Sequence, residues 1–164
     1  MMKKQLFCLV LALVLALALA GCGGGASSDA APKDYTQVLR GARSDELNEI
    51  HEVTDASSED PATVLEWIGL DADALEQYAI SISFMNTQAY GVMIVKPKDG
   101  KAEEVKSALQ DYIQRQTDSF EFYLADQYEI AKNAKLETMP SGEVVLVMCE
   151  DAPAVLENIQ NALK

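Results

Sequence analysis

Three cysteines and a single histidine carry the strongest intrinsic chemistry in this chain of 164 residues. Cys149 closes the apolar run Val144-Val145-Leu146-Val147-Met148. A nucleophilic thiolate needs an electropositive neighbourhood and a base. Glu150 and Asp151 follow Cys149 directly and would raise its pKa, so it reads as a small buried hydrophobe and not as half of a Cys–His pair. His51 ends a helical stretch and is expected to be a surface or partly packed residue, not a metal ligand. Asp71-Ala72-Asp73 and the Asp55, Glu59, Asp60 cluster could touch calcium, but they lack the glycine and final glutamate of an EF-hand, and helix capping accounts for Asp60 and Asp71 equally well. G-x-S-x-G, H-E-x-x-H and paired-cysteine metal spacings do not occur, and nothing among the 26 acids singles out a carboxylate pair for glycoside hydrolysis. The expectation is therefore no catalytic residue, no metal and no cofactor. Trp67, beside Ile68, is expected to anchor a core, with sugar stacking as the functional alternative. Phe122 and Tyr123 cannot both point inward from one helix, so one of them marks either a contact surface or packing by another layer.

The remaining chemistry belongs to Cys22. Lys3 and Lys4 precede an uncharged run of 15 residues, Leu6 to Ala20. A membrane-spanning helix needs about 20 apolar residues. A positive start, a short apolar middle and small residues at the end describe a secretory signal peptide over residues 1–21. Leu19-Ala20-Gly21-Cys22 is similar to the lipobox of bacterial lipoproteins. That resemblance implies a diacylglycerol on the Cys22 sulfur and cleavage that leaves Cys22 first in the mature chain. The alternatives are an uncleaved membrane helix or an ordinary cleaved signal. Two or more acyl chains hold a protein stably, at about 0.8 kcal/mol per buried methylene.

Removing residues 1–21 leaves 143 residues, a length suited to one domain with its own core. It also removes two of the 13 Lys and Arg and none of the 26 Asp and Glu, so 11 bases face 26 acids and the net charge becomes −15. Such a surface excludes nucleic acid as a partner and disfavours lying flat on anionic lipid. It keeps the domain soluble and could attract a basic partner. Once Cys8 leaves and Cys22 is modified, Cys149 has no disulfide partner, and stability must come from the core.

The elements follow from periodicity. Residues 22–33 are small, Gly/Ser-rich and non-periodic, a flexible tether with a reach of about 18 Å. Residues 34–52 read as helix, with Tyr35, Val38, Leu39 and Ala42 on one face; Ser44 starts a second piece carrying Leu47 and Ile50. Asp60-Pro61 starts a helix with Val64, Leu65 and Ile68 as its stripe, and Gly69 ends it. Asp71 caps one further turn. From about Glu76 the pattern changes to period 2: Tyr78, Ile80, Ile82 and Phe84 alternate with Ala79, Ser81, Ser83 and Met85. Asn86-Thr87 turns the chain, and Ala89 to Lys96 forms a second strand. A long helix runs from about Lys101, a short helical piece covers 126–134, and a hairpin of 135–139 with 143–149 turns at Pro140-Ser141-Gly142. Asp151 caps a last helix carrying Val155, Ile159 and Leu163. The second half thus repeats strand–turn–strand–helix. The expected product is an α+β domain over residues 34–164: a four-stranded, mainly antiparallel sheet with both unit helices on one face, preceded by N-terminal helices. The opposite face would carry Ala79, Ser81, Ser83 and Ala89, together with part of the N-terminal helices.

The stretches from Ile68 to Leu109 and from Phe120 to Ala152 resemble a family of small lipoproteins of Gram-positive gut bacteria whose domain is of unknown function. Met85-Asn86-Thr87-Gln88-Ala89-Tyr90 and Asp126-Gln127-Tyr128-Glu129-Ile130-Ala131 are the most specific parts, and the resemblance covers residues 34–164. It implies a tethered extracytoplasmic lipoprotein and supplies no site residues. The functional expectation is a non-enzymatic protein-interaction or envelope-accessory module on the outer face of the cell membrane, held there by lipid on Cys22 and meeting a protein partner in the envelope. A small-ligand binder and an enzyme of unrecognised class are the alternatives. Cys22→Ser is expected to abolish metabolic labelling by radioactive palmitate; persistent labelling would place the lipid elsewhere.

Overall fold

The computed structural model describes residues 33–164, which form one compact unit. Cys22, the signal segment and the tether lie outside the described residues. In chain order the elements are α1 (Tyr35–Ala42), α2 (Asp45–Ile50), α3 (Pro61–Ile68), a 3-10 turn (Ala72–Ala74), β1 (Leu75–Ile82), β2 (Gly91–Pro97), α4 (Ala102–Phe120), α5 (Ala125–Lys132), β3 (Lys135–Thr138), β4 (Val144–Met148) and α6 (Ala152–Ala162). Among these, no helix is long and apolar enough to cross a membrane.

The four strands make one sheet in the order β1-β2-β4-β3, with every neighbouring pair antiparallel. The α+β class, the four strands and the preceding helices are as the periodicity predicts. Ile80 stands opposite Met93, Met93 opposite Leu146, and Leu146 opposite Leu136, so one apolar row crosses the whole sheet.

The two unit helices are distributed differently from the expectation. Val105, Leu109 and Tyr112 of α4 pack with Val64, Leu65 and Ile68 of α3 on the face that carries Ile80, Met93 and Leu146. Val155, Leu156 and Ile159 of α6 pack with Tyr35 and Leu39 of α1 on the other face, against Ala79, Val92, Ile94, Val145 and Val147. The cause lies in β2 and β4. Val92 to Val95 of β2 and Val144 to Met148 of β4 are apolar at every position, and all of these residues are buried. A strand that alternates hides one face; a continuous apolar run has to be covered on both. The small side chains Ala79 and Ser81 leave room for α1 to sit close to β1.

Local signals set the ends of the elements. The Asp60 carboxylate accepts from the Thr63 amide at 3.4 Å, with Pro61 in the first turn, and Gly69 closes α3 at φ 89°, a conformation that costs only glycine nothing. Asp71 accepts from the Asp73 amide at 2.9 Å and holds the 3-10 turn. Asp151 precedes α6, but its side chain makes no capping bond. Its φ and ψ of −101° and 39° keep it out of the extended conformation that swings an N-cap carboxylate over the first amides. Both sheet edges are protected. Thr54 exchanges backbone hydrogen bonds of 2.7 and 2.8 Å with Ile80 along β1, and β3 is a four-residue strand bearing Lys135 and Glu137.

Because each face has its own core, Leu109→Ala and Ile159→Ala should each cost about 2–5 kcal/mol in denaturant unfolding. A loss under about 0.5 kcal/mol for Ile159→Ala would mean that α6 does not cover the sheet.

Candidate functional site

The sheet faces are covered, and the exposed apolar side chains sit at helix ends and on loops. Among the described residues the exposed large hydrophobic side chains are Ile50, Trp67, Phe84, Met85, Phe122 and Tyr123, each more than half exposed, with Phe122 at 90%. They come from four places: the end of α2, the end of α3, the β1–β2 connection and the turn after α4. The antiparallel layout brings these together at one end of the sheet. The Trp67 and Phe84 rings meet edge to face with centroids 5.9 Å apart. The Tyr123 hydroxyl donates to the Asn86 carbonyl at 3.2 Å. One cleft of about 220 Å³ is lined by Trp67, Phe84, Met85, Gln116 and Tyr123, among others. A second of about 290 Å³ is lined by Ile50, His51, Glu52, Thr54, Phe84 and Met85, among others. Phe84 and Met85 form the ridge between them, which makes the surface contiguous.

This surface differs from the sequence expectation for Trp67 and Phe84. On an eight-residue helix whose stripe is Val64, Leu65 and Ile68, position 67 points to the side. Phe84 would continue the alternation of β1, but the strand ends at Ile82. Phe122 and Tyr123 both point outward.

The loop that carries the ridge is held in place. The Ser83 amide donates to the Tyr90 carbonyl at 3.2 Å, and the Met85 amide donates to the Ser83 hydroxyl at 3.1 Å. The Ala89 amide donates to Gln127 Oε1 of α5 at 2.8 Å. Arg115 of α4 donates to the Ile68 carbonyl at 2.7 Å and to that of Trp67 at 3.3 Å, pinning the end of α3. A patch fixed in this way loses little conformational entropy on binding.

Behind the second cleft lies a buried polar cluster. Arg43, 7% exposed, donates from Nη1 to Ser81 Oγ at 2.6 Å and to the Tyr90 hydroxyl at 2.5 Å, from Nη2 to the His51 carbonyl at 2.6 Å, and from Nε to Asn48 Oδ1 at 2.7 Å. All four acceptors are neutral; among the described residues Arg43 has no carboxylate within ion-pair distance. The His51 ring stacks on Tyr90 at 4.0 Å and 11°. His51 is only 5% exposed, so it belongs to the core and not to the surface as expected. Its Nε2 has no hydrogen-bond partner. Burial, and then the Arg43 charge, lower its pKa. Burial raises the Tyr90 phenol despite Arg43. Cys149 is buried as expected, and burial pushes its thiol up to about 11, which holds it protonated.

At the far end of the sheet Tyr35 donates to Glu143 Oε1 at 2.8 Å, and Ser141 donates to the other oxygen. Burial pushes the Glu143 carboxyl up, but these two bonds, a backbone hydrogen bond and the Lys96 charge together outweigh it and keep the group below its usual range. Three of the five candidate calcium acids are engaged within the fold. Asp55 accepts from the Ser57 amide at 2.9 Å and from Thr36 Oγ1 at 2.8 Å, while Asp60 and Asp71 cap helices. Among the described residues no three His, Cys, Asp or Glu side chains are placed to hold a metal ion. Sequence reasoning missed Arg43, Ser81 and Tyr90; a serine at an otherwise apolar β1 position was the one signal available.

The arrangement is a small α+β domain with an exposed apolar surface at one sheet end. The chain belongs to the family described as Domain of unknown function (DUF4358), whose model matches residues 50–150. That span contains all six exposed hydrophobic residues of the patch. No curated protein and no solved structure matches the chain.

The His51 geometry fixes a pH response. Its folded pKa lies below the ordinary 6.5, so the unfolded chain takes up a proton first and stability falls as pH drops through and below 6.5. Urea midpoints should decline from pH 7.5 to 5.5, and His51→Gln should flatten that slope. An unchanged slope would assign the decline to other groups.

Proposed function

We propose that this protein is a lipid-anchored extracytoplasmic binding module that engages a protein partner in the cell envelope through the Trp67–Phe84–Met85 surface. The reading rests on three supports. The Leu19-Ala20-Gly21-Cys22 pattern after a short apolar run favours export and lipidation at Cys22, as in the small lipoproteins of Gram-positive gut bacteria that the chain resembles. Six large apolar side chains exposed at two helix ends and on neighbouring loops present several hundred Å² of apolar area, the range in which patches mark interaction sites. Aromatic residues and methionine are also the types enriched at interfaces. The linings of the two clefts offer few titratable groups: Glu52, the Tyr123 hydroxyl and the enclosed His51. That composition favours binding over catalysis.

The observation that carries the reading is the position of the patch relative to the start of the described domain. Lys33, the first described residue, bonds through its carbonyl to Gln77 Nε2 at 2.8 Å, near the start of β1. The patch begins after Ile82, about 17 Å further along the strand. Lys33 and the aromatic surface therefore lie at opposite ends of β1.

A photoreactive phenylalanine analogue at Met85 should give discrete protein adducts in intact cells, and the same analogue at exposed Asp111 on α4 should not. Trp67→Ala with Phe84→Ala should reduce the Met85 adduct at least tenfold, as central aromatic anchors do. Equal adducts from both positions would refute the assignment of the surface.

A further inference from the structure

The charges around the patch are one-sided. Between Arg43 and Lys96 the chain carries eleven Asp and Glu and not one Lys or Arg. This segment supplies Ile50, Trp67, Phe84 and Met85 of the patch. Glu49 and Glu52 flank Ile50, Glu66 precedes Trp67, and Asp118 and Glu121 stand beside Ser119 and Phe122; all five are exposed. None of them is in an ion pair among the described residues, where the salt bridges are Lys101–Glu104 and Lys132–Glu129. No lysine or arginine lines either cleft. The one arginine at the margin, Arg115, is bound to the Trp67 and Ile68 carbonyls.

We propose that the occupant of this surface is a basic, apolar polypeptide segment of the partner. It would place one bulky apolar side chain in each of the two clefts astride the Phe84–Met85 ridge, with Lys or Arg residues meeting the surrounding carboxylates. The proposal rests on the interaction reading above and adds the chemistry of the partner. An apolar patch alone selects nothing; a rim of unpaired carboxylates speeds the approach of cations and rejects acidic segments. The same rim disfavours an anionic lipid surface.

Trp67 is the single tryptophan of the chain, so its fluorescence reports occupancy of the patch directly. The full chain in phosphatidylcholine vesicles is titrated with a twelve-residue peptide of leucine and lysine that lacks aromatic residues, and with a counterpart in which glutamate replaces lysine. The lysine peptide should shift Trp67 emission to the blue in a saturable way, and the glutamate peptide should not. Glu52→Gln, Glu66→Gln and Glu121→Gln together should weaken binding at least tenfold. These side chains are exposed and make no hydrogen bond within the fold, and an unchanged circular dichroism spectrum confirms folding. Raising the salt from 50 to 500 mM should weaken binding severalfold in the unmodified chain only. Equal shifts with both peptides would overturn the charge selection while leaving the docking surface in place. Phosphatidylglycerol vesicles shifting Trp67 as strongly as the peptide would overturn the choice of partner in favour of lipid. If no peptide shifts Trp67 but the Met85 analogue still captures a protein in cells, the basic-segment proposal fails alone; if the Met85 analogue also fails, the interaction reading falls with it.

Discussion

The two-sided burial of β2 and β4 is the constraint on which the rest of this structure depends. Val92, Met93, Ile94 and Val95, and Val144 to Met148, bury side chains on both faces of the sheet. Each face must then be roofed by helices, and the order β1-β2-β4-β3 keeps the two most apolar strands in the centre. Roofing both faces removes the broad sheet surface from use. Whatever the domain binds has to be met by loops at the ends of the sheet, the places where a rigid scaffold can carry variable side chains at little cost to its core. The aromatic surface sits on such loops.

The buried guanidinium of Arg43 connects that surface to the core. A cation enclosed without a carboxylate is expensive, and neutral acceptors offset the cost only if every bond is well made. Arg43 meets this condition through Ser81 and Tyr90 of the sheet region, Asn48 of α2 and the His51 carbonyl. These bonds fix the end of α2 against β1, and the end of α2 is where Ile50 and Glu52 enter the binding surface. Protonation of His51 would place a second cation beside the first in a site with no anion. Arg43 thus acts as a positioning residue: it lines neither cleft itself but bonds to the carbonyl of His51, which lines the second.

Much of this fold is legible in the sequence because its signals are local. The alternation from Tyr78 to Ile82, the Asp60-Pro61 start and Gly69 stop of α3, and the Pro140-Ser141-Gly142 turn each depend on a few neighbouring residues. The placement of α4 and α6 on opposite faces does not, since matching stripes such as Val105, Leu109, Ile113 and Val155, Ile159, Leu163 look alike wherever they pack. The continuous run of β4 held that information, because a strand without polar alternation implies two covers. The candidate site was less legible. Trp67 next to a stripe residue reads as core until the neighbouring helix is in place, and His51 is buried only because Tyr90, far along the chain, stacks on it. The amphiphilic rim was present in the composition as an acid-only segment, but its meaning depends on which apolar residues that segment exposes.

On the lipid-anchored reading proposed for this chain, an exposed apolar surface carries a hazard, because copies concentrated in one plane can pair through it. A self-complementary contact between two copies would bring Glu52, Glu66 and Glu121 of one against the same residues of the other. Like charges forced together in a partly desolvated interface disfavour that contact, and the net charge of −13 of the whole chain adds a longer-range repulsion. On the reading proposed for this surface, the carboxylate rim therefore has two effects from one cause. It keeps the patch unoccupied by its own kind, and it leaves the aromatic ridge open to a segment whose charge is opposite.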